Sequence, residues 1–246
     1  MNERSNNNLE LSSYSNDSGL ELRTSNLEPT LRSNVIITID GPAASGKTIA
    51  GRRLASRLGY LFVSSGHYYR ALAWAAHHDQ IDVSKPTAVQ HWLDRLLLHP
   101  QIIEDALHLF IDGNDVTPHL NNTIVTSLVS PLAALPAVRN FLLTRLRSLA
   151  DQRNLVMEGR DIGSVVFPEA PWKIYMDASP EERARRRAKE GIIDNVAQRD
   201  QQDKTRAAAP LVIPEGAIVI DTTHLSISDT NQAIDEILEK FQNKNK

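Results

Sequence analysis

The run Gly41-Pro42-Ala43-Ala44-Ser45-Gly46-Lys47-Thr48 constrains this chain more than any other segment. An apolar stretch, Val35-Ile36-Ile37-Thr38-Ile39, precedes it, and a helix-like stretch, Ala50 to Leu58, follows. The spacing G-x-x-x-x-G-K-[ST] between a strand and a helix is that of a phosphate-binding loop. Glycines let the backbone wrap an anion with no Cβ in the way. Successive backbone N–H groups and the helix N-terminus then point at the phosphate. In this motif Lys47 bridges the β- and γ-phosphates of a nucleoside triphosphate, and the Thr48 hydroxyl holds Mg²⁺. A Gly/Ser-rich turn could carry the same letters by chance, but here strand, loop, Lys, Thr and helix all stand where the mechanism needs them.

From Asn34 onward, short apolar runs alternate with longer helical patterns. The runs are Val35–Asp40, Tyr60–Val63, Asn154–Glu158, Trp172–Asp177 and Ala217–Asp221. They are continuous rather than alternating in apolarity, as in parallel strands covered on both faces. Between them, helical patterns cover Thr48–Leu58, Tyr68–His78, Ala137–Ala150, Pro180–Glu190 and Asp229–Phe241. This predicts an α/β fold: a doubly wound, five-stranded parallel sheet with right-handed crossovers.

Two helix starts illustrate the reading. Pro136 opens one, where a missing N–H costs nothing. Val138, Phe141, Leu142, Leu146 and Leu149 then form one apolar face. Arg139 and Arg147 fall elsewhere on the wheel and can face a cleft. In Asp177-Ala178-Ser179-Pro180-Glu181-Glu182, a strand end is followed by a Ser cap, a Pro and two acids at the positive end of the helix dipole.

From Ile81 to Leu135 the alternation stops. A helix-like stretch, Ala88–Leu98, is followed by a segment, His108 to Val116, in which Asp112-Gly113 reads as a hairpin turn. The expected organisation is an extension over 1–33 and one domain over 34–246. The domain has a core of 34–80 and 136–246 and a small insertion over about 81–135.

Composition excludes several classes of function. Hydrophobic residues make up 41% and charged residues 23%, with a formal net charge of −3, so no bulk attraction favours nucleic acid or an anionic membrane. There is no cysteine, which removes disulfides, thiolate catalysis and Cys-based zinc sites. No apolar run reaches the roughly 18 residues of a membrane span. Residues 1–33 are rich in Asn and Ser and poor in apolar side chains, which predicts disorder. They contain no apolar signal-peptide region and are too acidic for a transit peptide; an upstream start codon would also account for them. The expectation is a cytoplasmic monomer acting on small molecules, with no nucleic-acid or membrane partner.

A phosphate loop alone names no reaction. Phosphoryl transfer is mostly positioning and charge stabilisation, so it needs several Arg or Lys around one cluster of oxygens. No N-K-x-D or D-x-x-G pattern of a GTPase is present. Four further segments point one way. They are Ser65-Gly66-His67-Tyr68-Tyr69-Arg70, Ser130-Pro131-Leu132-Ala133-Ala134-Leu135-Pro136-Ala137-Val138-Arg139, Glu158-Gly159-Arg160-Asp161-Ile162-Gly163, and Arg199-Asp200-Gln201-Gln202-Asp203-Lys204-Thr205-Arg206. With the phosphate loop, and in this order, they resemble the bacterial-type cytidylate (CMP) kinases, which are nucleoside monophosphate kinases of the phosphate-loop NTPase fold. The resemblance spans about Val35 to Lys240.

The resemblance implies a reaction in which ATP phosphorylates CMP or dCMP, with ATP and Mg²⁺ as cofactors. The donor would be held by Gly41, Pro42, Ala43, Ala44, Ser45, Gly46, Lys47, Thr48 and Ile49. Arg183 and Arg187, in a helical lid over about 183–206, would close over its phosphates. Arg70 and Arg160 correspond to residues that bind the acceptor phosphate. Ser130, Arg139 and Asp161 correspond to those that read cytosine. Arg199, Asp203 and Arg206 correspond to those at the acceptor's sugar and phosphate, and Ser65 offers a hydroxyl beside them. Lys47, Arg160 and Arg199 would then surround the transferred group. The base assignment agrees with chemistry: a carboxylate accepts from the cytosine amino group, whereas uracil presents an acceptor there. UMP would leave buried groups mispaired. No catalytic role is expected of His67, and Tyr69 is expected to pack beside the acceptor.

The chain also departs from the family pattern. Ser64-Ser65-Gly66 stands where Asp-Thr-Gly is frequent, Asn121 and Leu146 where Arg and Gln are common, and Ile49 where Thr is usual. Only Ala188 to Gln198 separate Arg187 from Arg199, a short lid that implies more leakage of ATP to water. Two alternatives stay open at this level: a kinase for another acceptor such as UMP, and a nucleotide-binding protein without turnover.

Overall fold

Each of the five apolar runs becomes a strand within one residue of its expected limits. In chain order the elements are β1 (Ile36–Asp40), α1 (Lys47–Leu58), β2 (Leu61–Ser64), α2 (Ser65–His78), α3 (Pro86–Leu93), β3 (Leu98–Ile103), β4 (Ala106–Ile111), β5 (Asn114–Asp115), α4 (Thr123–Ala133), α5 (Pro136–Ser148), β6 (Leu155–Gly159), β7 (Trp172–Asp177), α6 (Pro180–Lys189), α7 (Val196–Thr205), β8 (Ile218–Asp221) and α8 (Ile227–Lys244). This computed structural model describes residues 34–189, 191, 196–206 and 209–244, without the side chains of 123, 196–199, 204 and 242–244. The extension expected over 1–33 lies outside the described residues.

Five strands form one parallel sheet in the order β2-β6-β1-β7-β8. Their C-terminal ends therefore share one edge, where open α/β sheets bind ligands. The register sets Asp40 beside Gly159 and Ser64 beside Glu158, so the loops leaving β1, β2 and β6 start at one level. Side chains alternate between the faces. Ile37, Ile39, Val156, Ile174 and Met176 meet Leu54, Ile234 and Leu238 of α1 and α8. Val63, Leu155 and Met157 meet Tyr68 and Leu72 of α2 and Leu142 of α5. Asp40 is also buried, and its carboxylate accepts the N–H groups of Ile162 (2.6 Å) and Gly163 (2.7 Å).

The helix starts follow their local chemistry. The Ser179 hydroxyl accepts the Glu182 N–H at 3.2 Å and caps α6. In α5, Val138, Leu142 and Leu146 are buried as the apolar stripe requires. Of the two arginines placed off that stripe, Arg139 reaches the site. Arg147 turns away and donates to the carbonyls of Val166 (2.7 Å) and Val165 (3.0 Å), bracing the turn that follows β6.

The insertion holds a three-stranded antiparallel sheet, β3-β4-β5. Asp112 and Gly113, both at positive φ (48° and 84°), make the hairpin turn between β4 and β5. The helix expected over Ala88–Leu98 ends instead at Leu93. Leu96 and Leu98 are buried while Leu97 between them is exposed, the period of extended chain and not of a helix. Val89, Trp92, Leu109 and Val116 join the same core as α2 and α5. Among the described residues, no single helix is long and apolar enough to cross a membrane.

Gly41, at φ +145°, leaves no room for a side chain: a Cβ there would lie 1.9 Å from the Met176 carbonyl oxygen. Gly41→Ala is expected to cost more than about 2 kcal/mol, from overlap and backbone strain together. Urea unfolding would show a lowered midpoint with an unchanged slope; an unchanged midpoint would refute this account of the loop.

Candidate active site

A cleft of about 620 Å³ opens at the C-terminal edge of the sheet. Ala43, Ala44, Gly46, Lys47, Thr48, Ile49 and Arg187 line one part of it. Ser65, Arg70, Ser130, Arg160, Asp161, Asp203 and Arg206 line the rest. Residues from five sequence segments thus meet in one space. Gly41 and Ser45 are buried beneath the loop, as is Pro42. Arg139 joins Asp161 from a smaller adjoining pocket of about 130 Å³. Asn121, at one of the positions that depart from the family pattern, lines the main cleft. Arg199 lies on α7, but its side chain is outside the described residues.

The loop between β1 and α1 has the form the motif requires. Ala44 (φ 60°) and Gly46 (φ 93°) take left-handed backbone, and Gly46 leads into α1. The amides of Ala43 to Gly46 have no partner among the described residues. Lys47 is only 4% exposed, and its ammonium donates to the Pro42 carbonyl (2.5 Å) and the Ser45 hydroxyl (3.3 Å). Burial, followed by repulsion from Arg160, pushes the lysine down to about 7.

Sequence reasoning passed over Glu158, at the end of β6. Its Oε1 accepts the Ser64 hydroxyl (2.5 Å) and the Thr48 hydroxyl (3.2 Å). Burial alone would raise its pKa. The Lys47 charge, the Ser64 hydrogen bond and Arg160 outweigh burial and hold it below the usual range. An ionised carboxylate beside the motif hydroxyl is a hard oxygen donor set that fits Mg²⁺. Its sequence signal was an acid at a strand end, in register with Ser64 and one strand from the loop.

Arg160, Arg206, Arg139 and Arg183 are held by carboxylates. Arg160 donates from Nε to Asp203 (2.7 Å) and from Nη1 to the Gly41 carbonyl (3.1 Å). Arg206 pairs with the other oxygen of Asp203. Arg139 pairs with Asp161, donates to the Ala133 carbonyl at 3.3 Å, and lies 5.9 Å from the centre of the Tyr69 ring. Burial raises the Tyr69 hydroxyl to about 12. Burial, then Arg70, lowers His67 to about 4, so it is uncharged at neutral pH. Arg183, expected over the donor phosphates, does not line the cleft. It is 2% exposed, forms a two-point pair with Asp200, and donates to the carbonyls of Ala178 (2.9 Å) and Ala43 (3.5 Å) from behind the loop.

The depressed lysine makes anion binding a proton-linked event. At pH 8 a group with pKa about 7 is charged only about one tenth of the time, and a phosphate beside it restores the charge. Binding of inorganic tripolyphosphate at pH 8 is expected to take up more protons than it does in Lys47→Arg, which stays charged throughout and so reports the protons of the ligand itself. At pH 6, where Lys47 is already mostly charged, the two proteins are expected to agree closely. Calorimetry in buffers of different ionisation enthalpy reads this directly; equal uptake by both proteins at pH 8 would contradict it.

The chain is similar to known proteins over most of its length. The cytidylate kinase family model matches residues 37–243. A cytidylate kinase of Bdellovibrio bacteriovorus is 41% identical over 217 residues, covering 85% of this chain and 99% of that protein. Cytidylate kinases of a Geobacillus species (39% identical, 85% of this chain, 98% of that protein) and of Pseudomonas fluorescens (42%, 81% and 93%) are similarly related. The match runs from β1 into α8 and takes in every element that lines the cleft, and the chain therefore belongs to the cytidylate kinase family.

Proposed function

We propose that this protein transfers the γ-phosphoryl group of ATP to CMP and dCMP, giving ADP with CDP or dCDP. The observation that carries the reading is the meeting, in one cleft, of a phosphate loop with Arg70, Arg160 and Arg206 and with Ser130 and Asp161. Lys47 and the loop amides hold the donor's phosphates. Arg70 and Arg160 hold the acceptor phosphate in line, with Asp203, Arg206 and Arg199 at the acceptor's sugar and phosphate. Asp161 accepts from the cytosine amino group while Arg139 and Ser130 face the ring's acceptors. The attacking phosphate oxygen is already anionic, so no general base is needed. Mg²⁺, held through Thr48 with Glu158 behind it, would neutralise charge between the donor's phosphates. The insertion over 81–135 serves the acceptor side, and α6 with α7 acts as the lid. The protein works as a cytoplasmic monomer.

A coupled assay of ADP release with Mg-ATP against CMP, dCMP, UMP and AMP tests this. Fast turnover confined to the cytidine nucleotides is expected. Asp161→Asn is expected to lower kcat/KM for CMP by about 10- to 100-fold, the worth of a hydrogen bond to a charged group, and to narrow the gap to UMP. Equal rates on UMP in the unaltered protein would remove Asp161 as the base reader. Without CMP, slow ATP hydrolysis is expected from the short lid; its absence would show that the lid closes fully.

A further inference from the structure

The phosphate loop is pinned from outside as well as open within. Every carbonyl oxygen from Gly41 to Gly46 accepts a hydrogen bond. Gly41 accepts from Arg160 (3.1 Å), Pro42 from Lys47 (2.5 Å) and Ala43 from Arg183 (3.5 Å). Ala44 accepts from Arg186 (3.1 Å), Ser45 from the Thr222 hydroxyl (3.1 Å), which shares its one proton with the Asp177 carbonyl (3.0 Å), and Gly46 from the Ala50 N–H (3.1 Å). Only the last belongs to a helix. The amides of Ala43 to Gly46 stay unpartnered among the described residues. Buried backbone groups need hydrogen-bond partners. Here the carbonyls of Ala43, Ala44 and Ser45 are satisfied from behind the loop, by Arg183, Arg186 and Thr222, and the amides of Ala43 to Gly46 are left for an anion.

We infer that Arg186 and Thr222 form an outer clamp on the phosphate loop and act as positioning residues for the donor's phosphates, touching none of them. Arg186 sits on α6 one residue before Arg187, and does not line the cleft. Its Nη1 donates to the Ala44 carbonyl and to the Thr222 hydroxyl (3.0 Å), and its Nη2 to the Thr222 carbonyl (2.6 Å). Glu182, one turn earlier, accepts from its Nε at 2.8 Å and fixes the guanidinium plane. Thr222 is 1% exposed and follows β8 directly, so the clamp ties loop, lid helix and sheet together.

Two effects follow from this geometry. Ala44 holds a left-handed φ of 60° without being glycine, a conformation that persists only where its surroundings enforce it. A cationic donor on its carbonyl supplies that enforcement. The same contact polarises the peptide group, and hydrogen bonds in a chain strengthen one another. The amides facing the phosphate thus become better donors.

The inference rests on the loop seating the donor's phosphates. Its test is steady-state kinetics on the full chain with Mg-ATP and CMP, together with calorimetric binding of inorganic tripolyphosphate and of adenosine. Arg186→Gln and Thr222→Val are each expected to weaken tripolyphosphate about tenfold and to raise KM for ATP similarly, with KM for CMP and adenosine affinity within about twofold. Arg186→Lys and Thr222→Ser should recover most of the loss. Arg185→Gln, at an exposed neighbour that among the described residues pairs with Glu182, should change tripolyphosphate affinity by less than about twofold. Unchanged tripolyphosphate affinity in folded Arg186→Gln or Thr222→Val would overturn the inference, as would equal losses for ATP and CMP. If Arg186→Gln fails to fold, the near-isosteric Thr222→Val decides alone. Absence of CMP turnover in the unaltered chain would defeat the proposed function, and tripolyphosphate binding would still decide the clamp.

Discussion

Buried positive charge is the constraint on which the C-terminal edge of the sheet is built. Lys47, Arg139 and Arg183 are almost removed from water, and Arg160 is largely so. An unpaired ion in such a place costs several kcal/mol. Each of these cations therefore has a carboxylate close by. Arg139 pairs with Asp161, Arg160 with Asp203, and Arg183 with Asp200. Glu158 is the strongest attractive charge acting on Lys47. A site for multiply charged anions must gather cations that repel one another, as the depressed Lys47 records. The carboxylates hold that gathering in place until phosphate oxygens take over the neutralising role. Binding then exchanges one set of oxygens for another, and little of the protein needs to reorganise.

The scaffold under this cluster was legible in the sequence because it is built from repetition. Five continuous apolar runs became the five parallel strands, and the helix patterns between them became α1, α2, α5, α6 and α8. The loop motif could be placed because a strand before it and a helix after it were both visible. The same logic failed from Ile81 to Leu135. There Leu96-Leu97-Leu98 reads as the end of a helix until its neighbours are known, and only tertiary packing assigns alternate residues to the core. The sheet β3-β4-β5 is too short and too exposed to carry a strong period.

Within the site, motif reading located the residues that line the cleft and missed those that act from behind it. Glu158 looked like the last residue of a strand, and its role depends on register with Ser64 and on the reach of Thr48 across to it. Arg183 and Arg187 carried one expectation, to close over the donor phosphates, and Arg186 stands between them in the sequence. Three neighbouring arginines at helical spacing point in different directions, and charge patterning cannot say which. The structure separates them: Arg187 lines the cleft, while Arg183 and Arg186 grip the outside of the loop. Pairing partners over a hundred residues away in sequence, such as Ala44 for Arg186, leave no local trace.

The helix α7 shows how the same interactions tie a separate helix to the site. Its side chains Asp200 and Asp203 reach Arg183 and Arg160, one behind the phosphate loop and one inside the cleft. Arg160 in turn holds the Gly41 carbonyl, so one guanidinium spans the loop after β1, the end of β6 and α7. The two anchors differ in kind. Arg183–Asp200 is buried behind the phosphate loop and does not line the cleft. Arg160–Asp203 lines the cleft, where a phosphate oxygen would compete with Asp203 for the same donor. The tie between α7 and the phosphate loop therefore has two unlike halves, one ion pair sheltered from the cleft and one that a bound anion could exchange.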